Sequence, residues 1–229
     1  MRPLSIAATL LAPVLLAAVP AAHERRFPAA GFDAITLSSS DRMIVTAGSA
    51  ASVVAMGDPT AVAALRIAVR GATLYVDRLP GSYRDRGATI TVTLPRLEKV
   101  TLEGSGSIIA RRMTGSRFAA EDSGSGSIAI EDLRAAETRL QLSGSGSITA
   151  AGTAPQLWID ASGSGSVDTT HLGARDIDVI ATGSSSVRAH AARRATIRSS
   201  GSGSVGVDGA TDCRVSKSGS GPVRCRQVS

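Results

Sequence analysis

A pentapeptide that recurs at a nearly constant spacing is the feature of this chain that most constrains its fold. Its copies begin at residues 104, 124, 144, 163, 183, 201 and 219, so successive copies lie 18 to 20 residues apart. The first three read Gly-Ser-Gly-Ser-Ile, and the others are variants that end in Val. A period of about 20 residues predicts a solenoid in which each repeat forms one coil.

The segments between the pentapeptides alternate between apolar and polar residues, which a flexible Gly/Ser linker would not do. Leu140, Leu142 and Ile148, for example, share a parity with the glycines, whereas the serines share the opposite parity. Such alternation indicates strands with one buried face, and parallel crossovers are right-handed. We therefore predict an all-β fold, a single-stranded right-handed parallel β-helix. Its outward serines form a candidate surface ladder: Ser105, Ser107, Ser125, Ser127, Ser145, Ser147, Ser164 and Ser166.

The N-terminus has the layout of a secretory signal peptide. Arg2 precedes an apolar run from Leu4 to Val19, after which small and then charged residues follow. We predict that residues 1–22 are removed on export, leaving a chain with no transmembrane segment in the periplasm, on the outer surface or outside the cell. Residues 23–31 would form a short linker.

Residues 32–100 lack the pentapeptide but carry strand-like segments, such as Met43–Thr46 and Thr89–Leu94. Asp58 precedes a short helical pattern as its cap. We expect this region to form irregular first coils, since a solenoid needs atypical ends, and residues 101–229 to form the repeat coils. Leu172-Gly173-Ala174 is predicted to be a turn.

The only two cysteines, Cys213 and Cys225, bracket the last pentapeptide on the inward parity of their strands. Because export places the chain in an oxidising compartment, they are predicted to form one disulfide that closes the C-terminal coil.

Several short patterns, together with the Gly-Ser ladder, resemble the head-GIN domain family of auto-transporter adhesins. They include Phe32-Asp33 followed by Ile35, and Gly57-Asp58 after Val53. The resemblance extends from about residue 32 to about residue 223. It implies a β-helical fold, a bacterial envelope location and adhesion, and it supplies no catalytic residues.

The chemistry-bearing residues are scattered. The carboxylates lie at different coil positions: Glu121, Asp122, Glu131, Asp132, Asp176 and Asp178. The histidines are His23, His171 and His190, of which the last two, 19 residues apart, could be surface neighbours. Without paired carboxylates or a ligand cluster on one face, we predict no enzyme, no cofactor and no metal site. Ser or an aliphatic residue stands where calcium-binding β-rolls carry Asp.

The sequence thus favours a non-catalytic exported envelope or cell-surface module, an adhesin or a structural scaffold. Its partner would be an envelope glycan or a surface protein. Nucleic acid is not expected, because aromatic residues make up only 3% of the chain and cannot form a stacking platform. The alternatives are a polysaccharide-acting β-helix enzyme, or a solenoid that binds ice or glycan through the serine ladder.

Overall fold

The computed structural model describes residues 23–81 and 87–226, so the expected signal peptide lies outside the described residues. Strands account for 69% and helix for 3% of what is described, and the chain winds into a β-solenoid of about 6 turns with about 20 residues per turn. The predicted parallel β-helix is thereby confirmed, while its handedness stays a prediction. The elements are β1 (His23–Phe27), β2 (Ala34–Leu37), β3 (Arg42–Ala47), β4 (Ser52–Gly57), α1 (Pro59–Ala63), β5 (Leu65–Arg70), β6 (Thr73–Arg78), β7 (Ala88–Leu94), β8 (Lys99–Leu102), β9 (Ser107–Arg111), β10 (Thr114–Asp122), β11 (Ser127–Leu142), β12 (Ser147–Thr153), β13 (Gln156–Ala161), β14 (Ser166–Gly183), β15 (Ser186–Gly201), β16 (Ser204–Asp208), β17 (Asp212–Ser218) and β18 (Val223–Arg226).

Each coil contributes to two parallel ladders. Face A contains the strands that lead into a pentapeptide, together with β6 and β2 of the coils that lack one, in the order β6, β2, β8, β10, β11, β13, β14, β15 and β17. Face B contains the strands that follow a pentapeptide, together with β7 and β3, in the order β7, β3, β9, β11, β12, β14, β15, β16 and β18. The long strands β11, β14 and β15 belong to both faces. The Gly-Ser-Gly corner therefore turns the chain from face A to face B in every repeat.

Close stacking of successive corners explains why glycine recurs there. A Cβ on Gly144 would lie 1.9 Å from the carbonyl oxygen of Gly124 in the preceding coil, and Gly126 stands equally close to Gly106 O at 2.0 Å. Real Cβ atoms are not found so near a backbone oxygen. Glycine is thus required by the approach of one backbone to the next.

Aliphatic side chains fill the space between the two faces. Ile108, Ile128 and Ile148 are in register on face B and are almost completely buried. Leu102 and Leu142 occupy the same inward position on face A. Burial of each such side chain stabilises the fold by about 1.5–3 kcal/mol, so the inward parity read from the sequence marks the core.

The N-terminal coils are not stacked in chain order. The β2–β3 coil lies between the β6–β7 coil and the β8–β9 coil. Beyond β6 and β7 the outermost strands run antiparallel: β5 pairs with β6, β4 with β7, and β1 with β4. The irregular region thus differs from a simple series of first coils, because its chain turns back to close the open edge with antiparallel strands.

The segment expected to be a linker, residues 23–31, begins with strand β1. This strand pairs with β4 along its whole length, from His23 opposite Gly57 to Phe27 opposite Val53. Phe27 also packs against the core. One edge of β4 pairs with β7, and β1 pairs with the other. The backbone hydrogen bonds that β1 makes to this second edge explain why such a polar segment is ordered.

The short helix forms where the sequence places it. Its first N–H, that of Thr60, donates to the Asp58 carboxylate at 2.9 Å. Ala61 and Val62 are fully buried. The predicted cap at Asp58 is therefore confirmed.

The turn predicted at Leu172-Gly173-Ala174 is wrong. These residues lie inside β14, where Leu172 pairs with Gly152 of the preceding coil. The register of β14 against β15 shifts between Thr169 and Ala174. The glycine suggested a turn, but the chain continues as one strand and accommodates the extra residues in a bulge.

A disulfide joins Cys213 and Cys225, whose Cα atoms are 6.3 Å apart, as predicted. Cys213 lies in β17 on face A and Cys225 in β18 on face B. The bond spans the last coil, where Val215 is 48% exposed because no described rung follows it. It links the two faces at an end that would otherwise fray first.

Candidate functional site

The pentapeptide corners stack into two rows of serines along one side of the solenoid. The outer row contains the first serine of each pentapeptide: Ser105, Ser125, Ser145, Ser164, Ser184, Ser202 and Ser220. The inner row contains Ser107, Ser127, Ser147, Ser166, Ser186 and Ser204, each in register with the next. Together they are called the serine ladder. All eight serines predicted to share a face therefore do so.

Backbone groups of the ladder bond to each other and leave the hydroxyls available. The N–H of Ser145 donates to Gly124 O at 3.0 Å, and the N–H of Ser147 donates to Gly126 O at 3.0 Å. Among the ladder hydroxyls of the described chain, only two pairs bond to each other, Ser186 with Ser204 and Ser202 with Ser220. Most of the ladder hydroxyls thus remain free to donate and to accept a hydrogen bond. Successive rungs lie about 4.8 Å apart.

A shallow groove of about 340 Å³ runs along the middle of the ladder. Its floor contains Gly126, Gly146 and Gly165, between the exposed outer row and the inner row, whose serines are exposed or half-buried. No side chain stands between the two lines of hydroxyl groups, because the glycine positions face the preceding coil. The surface is polar, uncharged and repetitive along its length.

The ladder begins on a corner of different composition. Between β2 and β3 the chain has Ser39 and Asp41 instead of glycines, and their carbonyl oxygens accept the N–H groups of Gly106 and Ser107 at 3.0 Å. The Asp41 carboxylate is fully buried and accepts hydrogen bonds from the Arg78 guanidinium, from the Ala88 N–H at 2.7 Å and from the Ser39 hydroxyl at 2.7 Å.

Burial alone would raise the pKa of Asp41, but these donors, Arg78 foremost, lower it below its ordinary value. The carboxylate is thus ionised at neutral pH. Asp41 supports the first serine rung and is not exposed to a partner. The sequence carried no signal for this role, because this corner lacks the repeat.

The other carboxylates do not form a catalytic pair. Glu121 is bound to Lys99 at 2.8 Å and Glu131 to Arg111 at 2.9 Å. Asp176 is held by Arg193, whose hydrogen bonds are the main cause that lowers the pKa of this carboxyl to about 2. A carboxyl with this pKa stays ionised at neutral pH and cannot serve there as a general acid.

The remaining three carboxylates are separated as well. Asp132 lies near Arg134 at 3.4 Å, and Asp178 is in register with Trp158. Asp122 takes the inward position that Leu occupies in the coils on either side, where burial raises its pKa. Its Oδ1 accepts the Gly124 N–H, while Oδ2 has no partner. This carboxyl lies inside the core, away from any surface where a substrate could bind.

The histidines are all exposed and do not converge. His23 lies on β1. Because the register shifts after Thr169, no strand pairing places His171 opposite His190, which instead pairs with Asp208. Within residues 23–81 and 87–226, no three His, Cys, Asp or Glu side chains are placed to hold a metal ion. Nor does any helix of this part have the length and apolar character to cross a membrane.

Comparison with known proteins agrees with this architecture. A putative adhesin from Bacteroides fragilis is 20% identical over 90% of this chain and 98% of its own, with a TM-score of 0.85 between the two structures. A putative lipid binding protein from Parabacteroides distasonis is 22% identical over 91% of this chain and 97% of its own (TM-score 0.69). A putative adhesin from Parabacteroides merdae is 12% identical over 91% and 96% (TM-score 0.68). No curated protein matches the chain.

Identities of this size show a common fold. The family is established by the sequence itself, because residues 31–211 match the model described as "Putative auto-transporter adhesin, head GIN domain". That match spans most of the 229 residues. The resemblance noted from short motifs is therefore confirmed, and the chain belongs to the head-GIN domain family.

Proposed function

We propose that this protein is a non-catalytic exported surface module that attaches to a glycan through the serine ladder. The observation that carries the proposal is the state of the ladder hydroxyls. Most have no partner within the described chain, although the backbone N–H groups of serines such as Ser125, Ser145 and Ser164 donate to the preceding coil. A polysaccharide presents hydroxyl groups at regular intervals and can exchange hydrogen bonds with such a row.

Three further observations support a role in attachment outside the cell. The family is described as adhesins, and the disulfide Cys213–Cys225 is a bond of oxidising compartments. The extended face of a solenoid suits contact with a long polymer, because every coil repeats the same group. Single hydroxyl contacts are weak, so affinity would accumulate over several rungs.

The test is binding of the purified protein, residues 23–229, to a glycan array and to intact cells. A variant that carries Ser125→Lys, Ser145→Lys and Ser164→Lys places long charged side chains along the outer row. We expect it to lose binding, whereas Ser125→Thr, Ser145→Thr and Ser164→Thr, which keep the hydroxyls, should retain most of it.

A control with the same added charge, Thr91→Lys, Thr153→Lys and Thr196→Lys, changes accessible strand positions away from the serine ladder. Equal loss of binding by this control would show that charge matters and the ladder does not. Turnover of a polysaccharide by the purified protein, abolished by one point substitution, would replace this proposal with an enzymatic function.

A further inference from the structure

Face A carries a second candidate contact, centred on the only tryptophan of the chain. Trp158 lies on the outward side of β13 and is partly exposed. Along the same outward row the register places Lys99, Ala119, Arg139, Trp158 and Asp178 on successive rungs. This row contains none of the ladder serines.

A groove of about 590 Å³ crosses this row. It exists because Ala119, with its short side chain, stands between Lys99 and Arg139, whose Cα atoms are separated by two rungs, about 10 Å. Arg117 and Glu137 line one side of it and Trp158 one end. A volume of this size can hold a single sugar ring.

Two of the five charged side chains that line the groove are paired, Lys99 with Glu121 at 2.8 Å and Glu98 with Arg96. Within the part of the chain that the structure describes, the side chains of Arg117, Arg139 and Glu137 make no ion pair. The Arg139 guanidinium lies 5.8 Å from the centre of the Trp158 ring. The groove is lined by three cationic side chains and two carboxylates, which leaves an excess of one positive charge.

We propose that this groove binds an acidic sugar, a pyranose that carries a carboxylate. The apolar face of the sugar ring packs on the part of the Trp158 indole that is exposed to solvent. The ligand carboxylate accepts hydrogen bonds from Arg117 and Arg139, whose planar guanidinium groups match a carboxylate in geometry. The Glu137 carboxylate accepts hydrogen bonds from the sugar hydroxyls. This site is separate from the serine ladder and does not depend on the proposed function of that surface.

The single tryptophan makes the proposal directly measurable, because its emission reports on this groove alone. The purified protein is titrated with oligosaccharides of galacturonate and of glucuronate, and with the same oligosaccharides after methyl esterification of their carboxyls. We expect at least one acidic series to change the emission with saturation, and the esters, which lack the charge, to bind at least about tenfold more weakly.

Variants separate the contributions of the charge and the ring. Arg139→Gln should weaken the acidic oligosaccharide about tenfold, whereas Arg198→Gln, an exposed arginine further along face A, should not. Trp158→Ala, followed by calorimetry, should also weaken binding, and the triple Ser→Lys ladder variant should bind as the wild type does. An unchanged emission with both acidic series, an equal affinity for the esters, or an equal loss in Arg198→Gln would each overturn the proposal.

Discussion

The Gly144→Ala substitution tests whether corner stacking is what fixes glycine in the repeat. The added Cβ would lie 1.9 Å from Gly124 O and 2.9 Å from the Gly124 carbonyl carbon. Both are backbone atoms and cannot rotate away, so the two coils must separate locally by about 1.5 Å to restore ordinary van der Waals contact.

That separation has a cost that can be built from the structure. It stretches the bonds from Ser145 N to Gly124 O and from Ser147 N to Gly126 O, both 3.0 Å long. Each bond contributes about 0.5–1.5 kcal/mol, and overpacking adds about 1–3 kcal/mol. We expect a loss of about 3 kcal/mol in the free energy of unfolding, and a fall in Tm of roughly 6–12 °C for a domain of this size.

Gly206→Ala is the matched control, because a Cβ there would meet no atom within 4 Å. It lies inside β16 and should be neutral or raise stability by about 0.5 kcal/mol, since alanine restricts the unfolded chain. Calorimetry and urea unfolding of both variants, with the disulfide intact, give the comparison. If Gly144→Ala unfolds within about 0.5 kcal/mol of the wild type, or if Gly206→Ala is equally destabilised, the stacking argument is wrong.

Three further predictions concern groups in the core or packed against it. Arg78→Ala leaves the Asp41 carboxylate buried without its main partner and should cost about 3 kcal/mol or more in urea unfolding, whereas Arg66→Ala, which removes an exposed pair, should cost less than about 1 kcal/mol. Burial raises the pKa of Asp122 in the folded protein. The protonated carboxyl therefore contributes its full stability below the unfolded pKa of about 3.9, and this contribution is lost as pH rises through the folded pKa. Asp122→Asn and Asp122→Leu should remove this part of the pH dependence of unfolding, and Asp122→Leu should be more stable than the wild type at pH 7; an unchanged pH profile would contradict this. Replacing both Cys213 and Cys225 with Ala should lower stability by about 3 kcal/mol, and two free thiols in the exported wild-type protein by mass spectrometry would show that the last coil is held in another way.

Most of the solenoid could be predicted from the sequence because one coil has one repeat. The parity of residues such as Leu140 and Ile148 identified the inward side, and the pentapeptide identified the corner. The same parity placed Cys213 and Cys225 on the interior of the last coil. These features depend only on local alternation and a fixed period, which a sequence displays directly.

Features that depend on which strand neighbours which could not be predicted. Alternation indicates that β2 and β6 are strands, but it does not show that β6 lies outside β2 or that β5 runs antiparallel. The shift after Thr169 separates His171 from His190, although their spacing suggested neighbouring positions. The corner between β2 and β3 has no glycine and is instead held by the buried hydrogen bonds of Asp41. The groove beside Trp158 depends on the small side chain of Ala119, which lies between Lys99 and Arg139.

The most direct test of the central claim, attachment through the serine ladder, is made on cells. A strain that lacks the gene is complemented with the wild type, with the triple Ser→Lys ladder variant, or with the triple Ser→Thr variant, all at equal surface abundance. Attachment to the glycan-coated surface that the purified protein binds is then counted. The account predicts that wild type and Ser→Thr restore attachment and that Ser→Lys does not; restoration by Ser→Lys to the wild-type level would contradict it.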